Sequence, residues 1–154
     1  MENTARPDEQ MVEQIASNIF HVMPLLRKRL LRLDVVQAEH GIPLSHAQVL
    51  AMLSENKSMS VSEISRKLGI AKPNITPLVD RLIASDLVDR VRDTGDRRVV
   101  NVVIQPAGIQ KLAEIQKSIG NQVREWANNM SEEDFNELAT ALNSITRILS
   151  SLKA

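Results

Sequence analysis

The chain has no cysteine and no tyrosine, and its 154 residues include only two Phe and one Trp. Without cysteine there are no disulfides, no thiolate zinc sites and no cysteine-based redox sensing. The scarcity of aromatics (Phe20, Trp126, Phe135) argues against base stacking on single strands and against a sugar-binding cleft. The five glycines are scattered, so no glycine-rich loop is available to cradle a phosphate. No apolar run approaches the roughly 18–20 residues of a membrane span. The opening MENTARPDEQ lacks the apolar segment of a signal peptide. A cytoplasmic protein with no membrane partner is expected. His21, His40 and His46 fit neither an HxxxH nor an HExxH spacing, so no metal is expected. No Ser-His-Asp arrangement stands in a nucleophile context. The chain reads as a non-enzyme with no cofactor.

An excess of one charge is also missing. Nineteen Lys/Arg balance nineteen Asp/Glu, which excludes a globally basic nucleic-acid binder. The regional balance says more. Residues 61–100 carry eight Lys/Arg against six Asp/Glu, whereas residues 1–40 and 106–154 each carry five against six. The small basic excess falls where phosphate contacts would be needed if this region binds DNA.

The most informative stretch is VSEISRKLGIAKPNITPLVDRLI, residues 61–83. It reads as two short helices around a tight turn. Gly69 closes the first, and small Ser65 suits a close helix crossing. Ile75, Leu78, Val79, Leu82 and Ile83 form the one-sided stripe of an amphipathic second helix. Its other face carries Lys72, Asn74, Thr76, Asp80 and Arg81, side chains that a major groove can accept. Downstream, Leu87–Arg92 and Arg98–Ile104 flank a turn at Asp93–Asp96, a β-hairpin with a charged tip. The expected architecture is mainly α with a small β wing: a winged helix-turn-helix over residues 43–105.

The remaining segments are helical. Residues 8–38 read as one long helix, with Val12, Ile15, Ile19, Val22, Leu26, Leu30 and Leu33 on its apolar side and Pro24 kinking or interrupting it. Ser45 with Gln48, and Ser60 with Glu63, read as capping boxes. Pro106 opens a long helix to about Asn128, and Ser131 caps a last one striped by Phe135, Leu138, Leu142, Ile145, Leu149 and Leu152. A central lobe of about 60 residues, within the usual size of a small domain, cannot cover three such stripes. Residues 8–38 and 106–154 are therefore expected to form a helical dimerisation lobe. A dimer also suits a symmetric DNA reader, whose two reading helices lie about one helical turn apart.

Individual residues carry competing readings. Arg97 and Arg98 are a solvated turn or, after a helix-turn-helix, cations for a narrow minor groove. Asp96 would pin the wing by pairing with Arg98 or Arg81. Asn74 reads adenine or caps its helix; Lys72 is the alternative cap. Thr76 sits on the same exposed face. Arg66, Lys67 and Lys72 suit phosphates, Arg81 suits either DNA or Asp96, and Ser60 and Ser62 can offer phosphate contacts at a helix N-terminus. For a small effector, Arg27 of the basic run Arg27-Lys28-Arg29 and His46 are the candidate cleft residues. The alternative function is a winged-helix protein-interaction module without DNA binding, which would have no need of Arg97 and Arg98.

LGIAKPNITPLVDRL (68–82), LVDRVRDTGDRRVVNVVI (87–104) and the PAG opening at 106–108 together resemble the MarR family of bacterial transcription regulators, over nearly the whole length. The Asp-x-Arg of that family's wing matches Asp96-Arg97-Arg98. The resemblance implies a homodimer on a short pseudo-palindromic operator in double-stranded DNA, usually a repressor, often released by a small aromatic or anionic effector. Oxidant-sensing members use a cysteine, which is absent here, and zinc-sensing members use histidine on the fifth helix, which has none.

Overall fold

The computed structural model describes residues 6–30 and 32–152, with the side chain of Leu30 left aside. The elements are α1 (Glu9–Leu25), a π-helical segment (Leu26–Leu30), α2 (Leu33–His40), α3 (Leu44–Asn56), β1 (Ser58–Ser60), α4 (Val61–Leu68), α5 (Lys72–Ala84), β2 (Val88–Arg92), β3 (Val100–Ile104), α6 (Pro106–Asn129) and α7 (Glu132–Ser151). They fall into two compact units. One spans Leu33–Ile119; the other comprises the described residues up to Arg32 and from Gly120 onward.

The winged unit has a dry core. Val49, Leu50, Leu53, Ile64, Ile75, Val79 and Val102 are wholly buried, joined by Met59, Leu82, Leu87 and Val88. The α5 stripe faces inward as its spacing predicts, with Ile75, Leu78, Val79 and Leu82 all buried. A second cluster joins Val36 of α2, Ala47 of α3 and Ile115 of α6. Its polar edge is held by a hydrogen bond between His40 Nε2 and Ser118 Oγ (2.7 Å).

Local chemistry sets the element ends. Ser60 Oγ accepts from the Glu63 N–H (3.2 Å), and the Glu63 carboxylate accepts from the Ser60 N–H (2.7 Å), so the predicted capping box opens α4. Gly69 ends α4 at φ 65°, a left-handed conformation that costs glycine least. The Ser65 hydroxyl donates to the Ile70 carbonyl (2.6 Å) and so braces the turn into α5. Ser131 caps α7 by accepting from the Asp134 N–H (3.1 Å). At the start of α6, Gly108 is buried, and a Cβ there would run into the Leu87 carbonyl oxygen. The glycine of the PAG opening thus lets α6 pack against the chain entering the wing.

Two expectations need correction. The helix over residues 8–38 is interrupted. Its α-helical part stops at Leu25, one residue past Pro24, and continues as a π-helical segment before α2 begins at Leu33. A proline removes an N–H donor, and widening into a π turn is one way a helix absorbs such a defect. Leu31 lies outside the described residues. The box predicted from Ser45 and Gln48 is not formed. Pro43, at φ −64° and ψ 159°, is the N-cap of α3, and its carbonyl accepts from the N–H groups of His46 (3.0 Å) and Ala47 (3.2 Å). Ser45 is already inside the first turn. The expected hairpin forms from β2 and β3, and a third strand joins it in the antiparallel order β1-β3-β2, because Ser58–Ser60 pairs with Asn101–Val103.

Candidate nucleic-acid interface

The N-terminal ends of α4 and α5 and the wing converge on one groove of about 360 Å³. Ser60, Val61, Ser62, Lys72, Thr76, Arg98, Val99 and Val100 line it. Five of the residues singled out from sequence (Ser60, Ser62, Lys72, Thr76 and Arg98) are therefore brought together. The lining combines three hydroxyls, two cations and three valines. The side chain of Arg98 is 92% exposed, so its guanidinium can reach outward without a desolvation cost.

The other candidates are placed as follows. Asn74 is exposed in the first turn of α5. The cap of α5 is Ala71, whose carbonyl accepts from the N–H groups of Asn74 (2.8 Å) and Ile75 (3.3 Å) with no side-chain cap. Neither Lys72 nor Asn74 is the cap, so the Asn74 amide is left for other partners. Pro73 lies in the first turn, where its missing N–H costs little. The Thr76 hydroxyl donates to the Lys72 carbonyl (3.3 Å), which leaves its oxygen as an acceptor for an outside donor. Arg66 and Lys67 are exposed on α4, and together with Asn56, Ser58, Met59 and Glu63 they line a smaller recess of about 150 Å³. Lys67 Nζ donates to Asn56 Oδ1 (3.4 Å). Arg97 is exposed at the wing tip.

Asp96 resolves to one of its two expected partners. Its Oδ1 accepts from both the backbone N–H (3.0 Å) and Nε (3.3 Å) of Arg98. Arg81 is elsewhere. It lines a groove of about 310 Å³ within the winged unit, together with Gly41, Ile42, Pro43, His46, Leu82, Ala84 and Ser85. His46 is 6% exposed there, and burial, aided by the Arg81 charge, pulls its pKa below the ordinary histidine value. Arg27 is exposed in the π-helical segment of the other unit. Among the described residues there is no cluster of metal-ligating side chains and no helix long and apolar enough to cross a membrane.

Two features were not anticipated. Asp80 on α5 pairs with Arg90 on β2, tying the second helix of the motif to the wing. Asp93 organises the wing turn, its Oδ2 accepting from the N–H groups of Gly95 (3.1 Å) and Asp96 (3.0 Å). The second was readable in principle, since an Asp followed two residues later by Gly is a turn signature with this mechanism. The first joins residues on different elements, and no local pattern announces it.

The family model described as MarR family matches residues 40–99. The chain is similar to YsmB of Bacillus subtilis, an HTH-type transcriptional regulator, at 25% identity over 131 residues, covering 85% of this chain and 87% of that protein. It is similar to the Bacillus subtilis transcriptional repressor MdtR at 31% identity over 77 residues, about half of each chain (50% and 50%). Among solved structures, a mutant MarR from E. coli complexed with operator DNA superposes with a TM-score of 0.65 at 19% identity, covering 84% of this chain and 91% of that one. These relatives support a DNA-binding regulator and not an interaction module that has lost DNA binding. The winged helix-turn-helix segment, residues 40–99, matches the MarR family of transcription regulators, DNA-binding proteins rather than enzymes.

Proposed function

We propose that the chain acts as a homodimer on a pseudo-palindromic operator in double-stranded DNA, with α5 in the major groove and the wing in the minor groove. The observation that carries this reading is the groove in which Ser60, Ser62, Lys72, Thr76 and Arg98 converge. A helix start with three hydroxyls and two cations beside it suits a phosphate run. Asn74 and Thr76 project from the exposed face of α5, where base edges would lie. The dimer is supported by the apolar faces of α1 and α7, which have no buried residue within one chain. The regulator acts where operator DNA lies, in the cytoplasm, and the likeness to a repressor favours repression.

A small anionic or aromatic effector is part of the reading. The groove that holds His46 and Arg81 offers a cation beside apolar walls, the lining such a molecule requires. Arg27 is the second candidate, in the other unit.

Salt dependence is the test. Operators selected from a random DNA library should be bound with an affinity that falls linearly in log–log form, with a slope of roughly −0.9 per phosphate neutralised. Replacing Arg97 and Arg98 together by Ala should reduce that slope. A flat dependence between low and physiological salt would overturn DNA binding by this surface.

A further inference from the structure

We propose that Asp93 and Asn101 form a clasp that positions the wing arginines for DNA. The clasp rests on the reading of the wing as a DNA-contacting element and adds to it the pair that sets the wing's posture. Asp93 uses both carboxylate oxygens. Oδ2 shapes the turn by accepting from the Gly95 and Asp96 N–H groups. Oδ1 accepts from Asn101 Nδ2 (3.1 Å), eight residues along on the returning strand. The Asp93 N–H donates to the Val99 carbonyl, and the Val99 N–H to the Asp96 carbonyl (both 3.0 Å), so the loop between them is closed from both sides.

Asn101 is the central residue of the path. It faces Val91 of β2 on one side and Ser60 of β1 on the other. Ser60 is in turn the cap of α4. A continuous chain of bonds and strand pairing thus runs from the wing turn, through Asn101, to the helix start that lines the proposed DNA groove. Arg97 and Arg98 project from inside the closed loop, and Arg98 is further held by Asp96. Without the Asp93–Asn101 bond the turn keeps its own shape, but nothing from its side chains ties it to β3. The arginines would then spend less time at the height of the groove. Asn101 is part-buried in a strand otherwise made of Val and Ile, where a polar amide is retained only if it is hydrogen-bonded. Asp93 and Asn101 are positioning residues, since their polar side-chain atoms are taken up by each other and by the turn.

The test is a mutant cycle on full-length protein with a selected operator. Asn101→Leu removes the donor and keeps the strand, and should weaken binding about tenfold with the melting temperature nearly unchanged. Asn101→Asp sets two carboxylates against each other and should weaken it further. Combining Asp93→Asn with Asn101→Asp restores an amide-to-carboxylate bond at the wild-type net charge and should recover most of the affinity. The decisive readout is coupling to the wing arginines. Once Asn101→Leu is present, replacing Arg97 and Arg98 by Ala should cost little more, because the clasp works through them. Additive losses, or failure of the charge-swapped pair to recover binding in a protein that melts normally, would overturn the clasp. If the arginine replacements have no effect in the wild-type background, the wing-contact reading itself fails, and that outcome is separate.

Discussion

The two units are built from similar amphipathic helices but bury their apolar faces very differently. In the winged unit, Leu50, Leu53, Ile64, Ile75 and Val79 have no measurable exposure. In α1 and α7 no residue is buried, and Phe20 is 82%, Leu149 59% and Ile145 52% exposed. Full burial of one such side chain stabilises by about 1.5–3 kcal/mol. The winged unit collects that gain within one chain. The terminal helices leave most of it uncollected, over a surface far more continuous than scattered apolar residues would make. One unit thus closes its core within a single chain while the other leaves its stripes open, and the second copy proposed above would cover them.

The largest effect is expected from a charge on the exposed apolar face of α7. Ile145→Asp should abolish dimerisation, because an unpaired carboxylate buried in an apolar interface is heavily penalised. Sedimentation or light scattering should show a monomer or aggregate in place of a dimer. A protein of unchanged mass and stability would mean that α7 faces solvent in the working molecule.

A smaller loss is expected in the core of the winged unit. Leu50→Ala should cost about 2–5 kcal/mol of stability. The loss should be independent of protein concentration if the winged unit folds by itself, whereas melting of the terminal helices should shift with concentration. A concentration-dependent core would erase the distinction between the units. Ser60→Ala is smaller, about 1 kcal/mol for a lost cap, read as a lower denaturation midpoint. It should weaken operator binding as well, because Ser60 also lines the proposed DNA groove.

The same comparison explains what the sequence discloses. In the winged unit the signals are local and agree with the packing: the α5 stripe, Gly69 at the end of α4, and Ser60 with Glu63. The wing's hairpin is legible because valines flank a turn of Asp and Gly. Strand β1 is not, because Ser58–Ser60 has three residues, too few for its alternation to stand out, and it pairs with a strand about forty residues away. In α1 the apolar stripe runs unbroken past Pro24, so periodicity alone extends the helix through a region where the backbone becomes π-helical. The choice of Pro43 over Ser45 as cap turns on one residue's backbone angles, which composition does not encode. The Asp80–Arg90 and Asp93–Asn101 pairs are contacts across elements, and a single sequence does not specify their register. The Asp96–Arg98 pair is two residues apart and was legible for that reason.

The smallest expected effect concerns His46, a buried polar residue of the winged unit. Burial, and then the nearby Arg81 charge, hold its pKa below the ordinary histidine value. In the unfolded chain both influences vanish and His46 titrates normally. Above the ordinary histidine range both states are neutral, and the residue adds no pH dependence. As pH falls through that range the unfolded chain takes up a proton that the folded chain resists, so stability is lost until the folded pKa is passed. His46→Gln removes this term. Comparing urea midpoints of the two proteins from pH 8 to pH 5.5 should show wild type losing more stability than the variant. The carboxylates common to both proteins cancel in the difference. If the two midpoints fall in parallel, His46 is solvated in the folded state and the groove it shares with Arg81 is open to water. An anionic ligand in that groove would act against the Arg81 contribution and raise the His46 pKa, so adding benzoate should narrow the gap between the two proteins. An unchanged gap across saturating benzoate would place that anion away from His46 and Arg81.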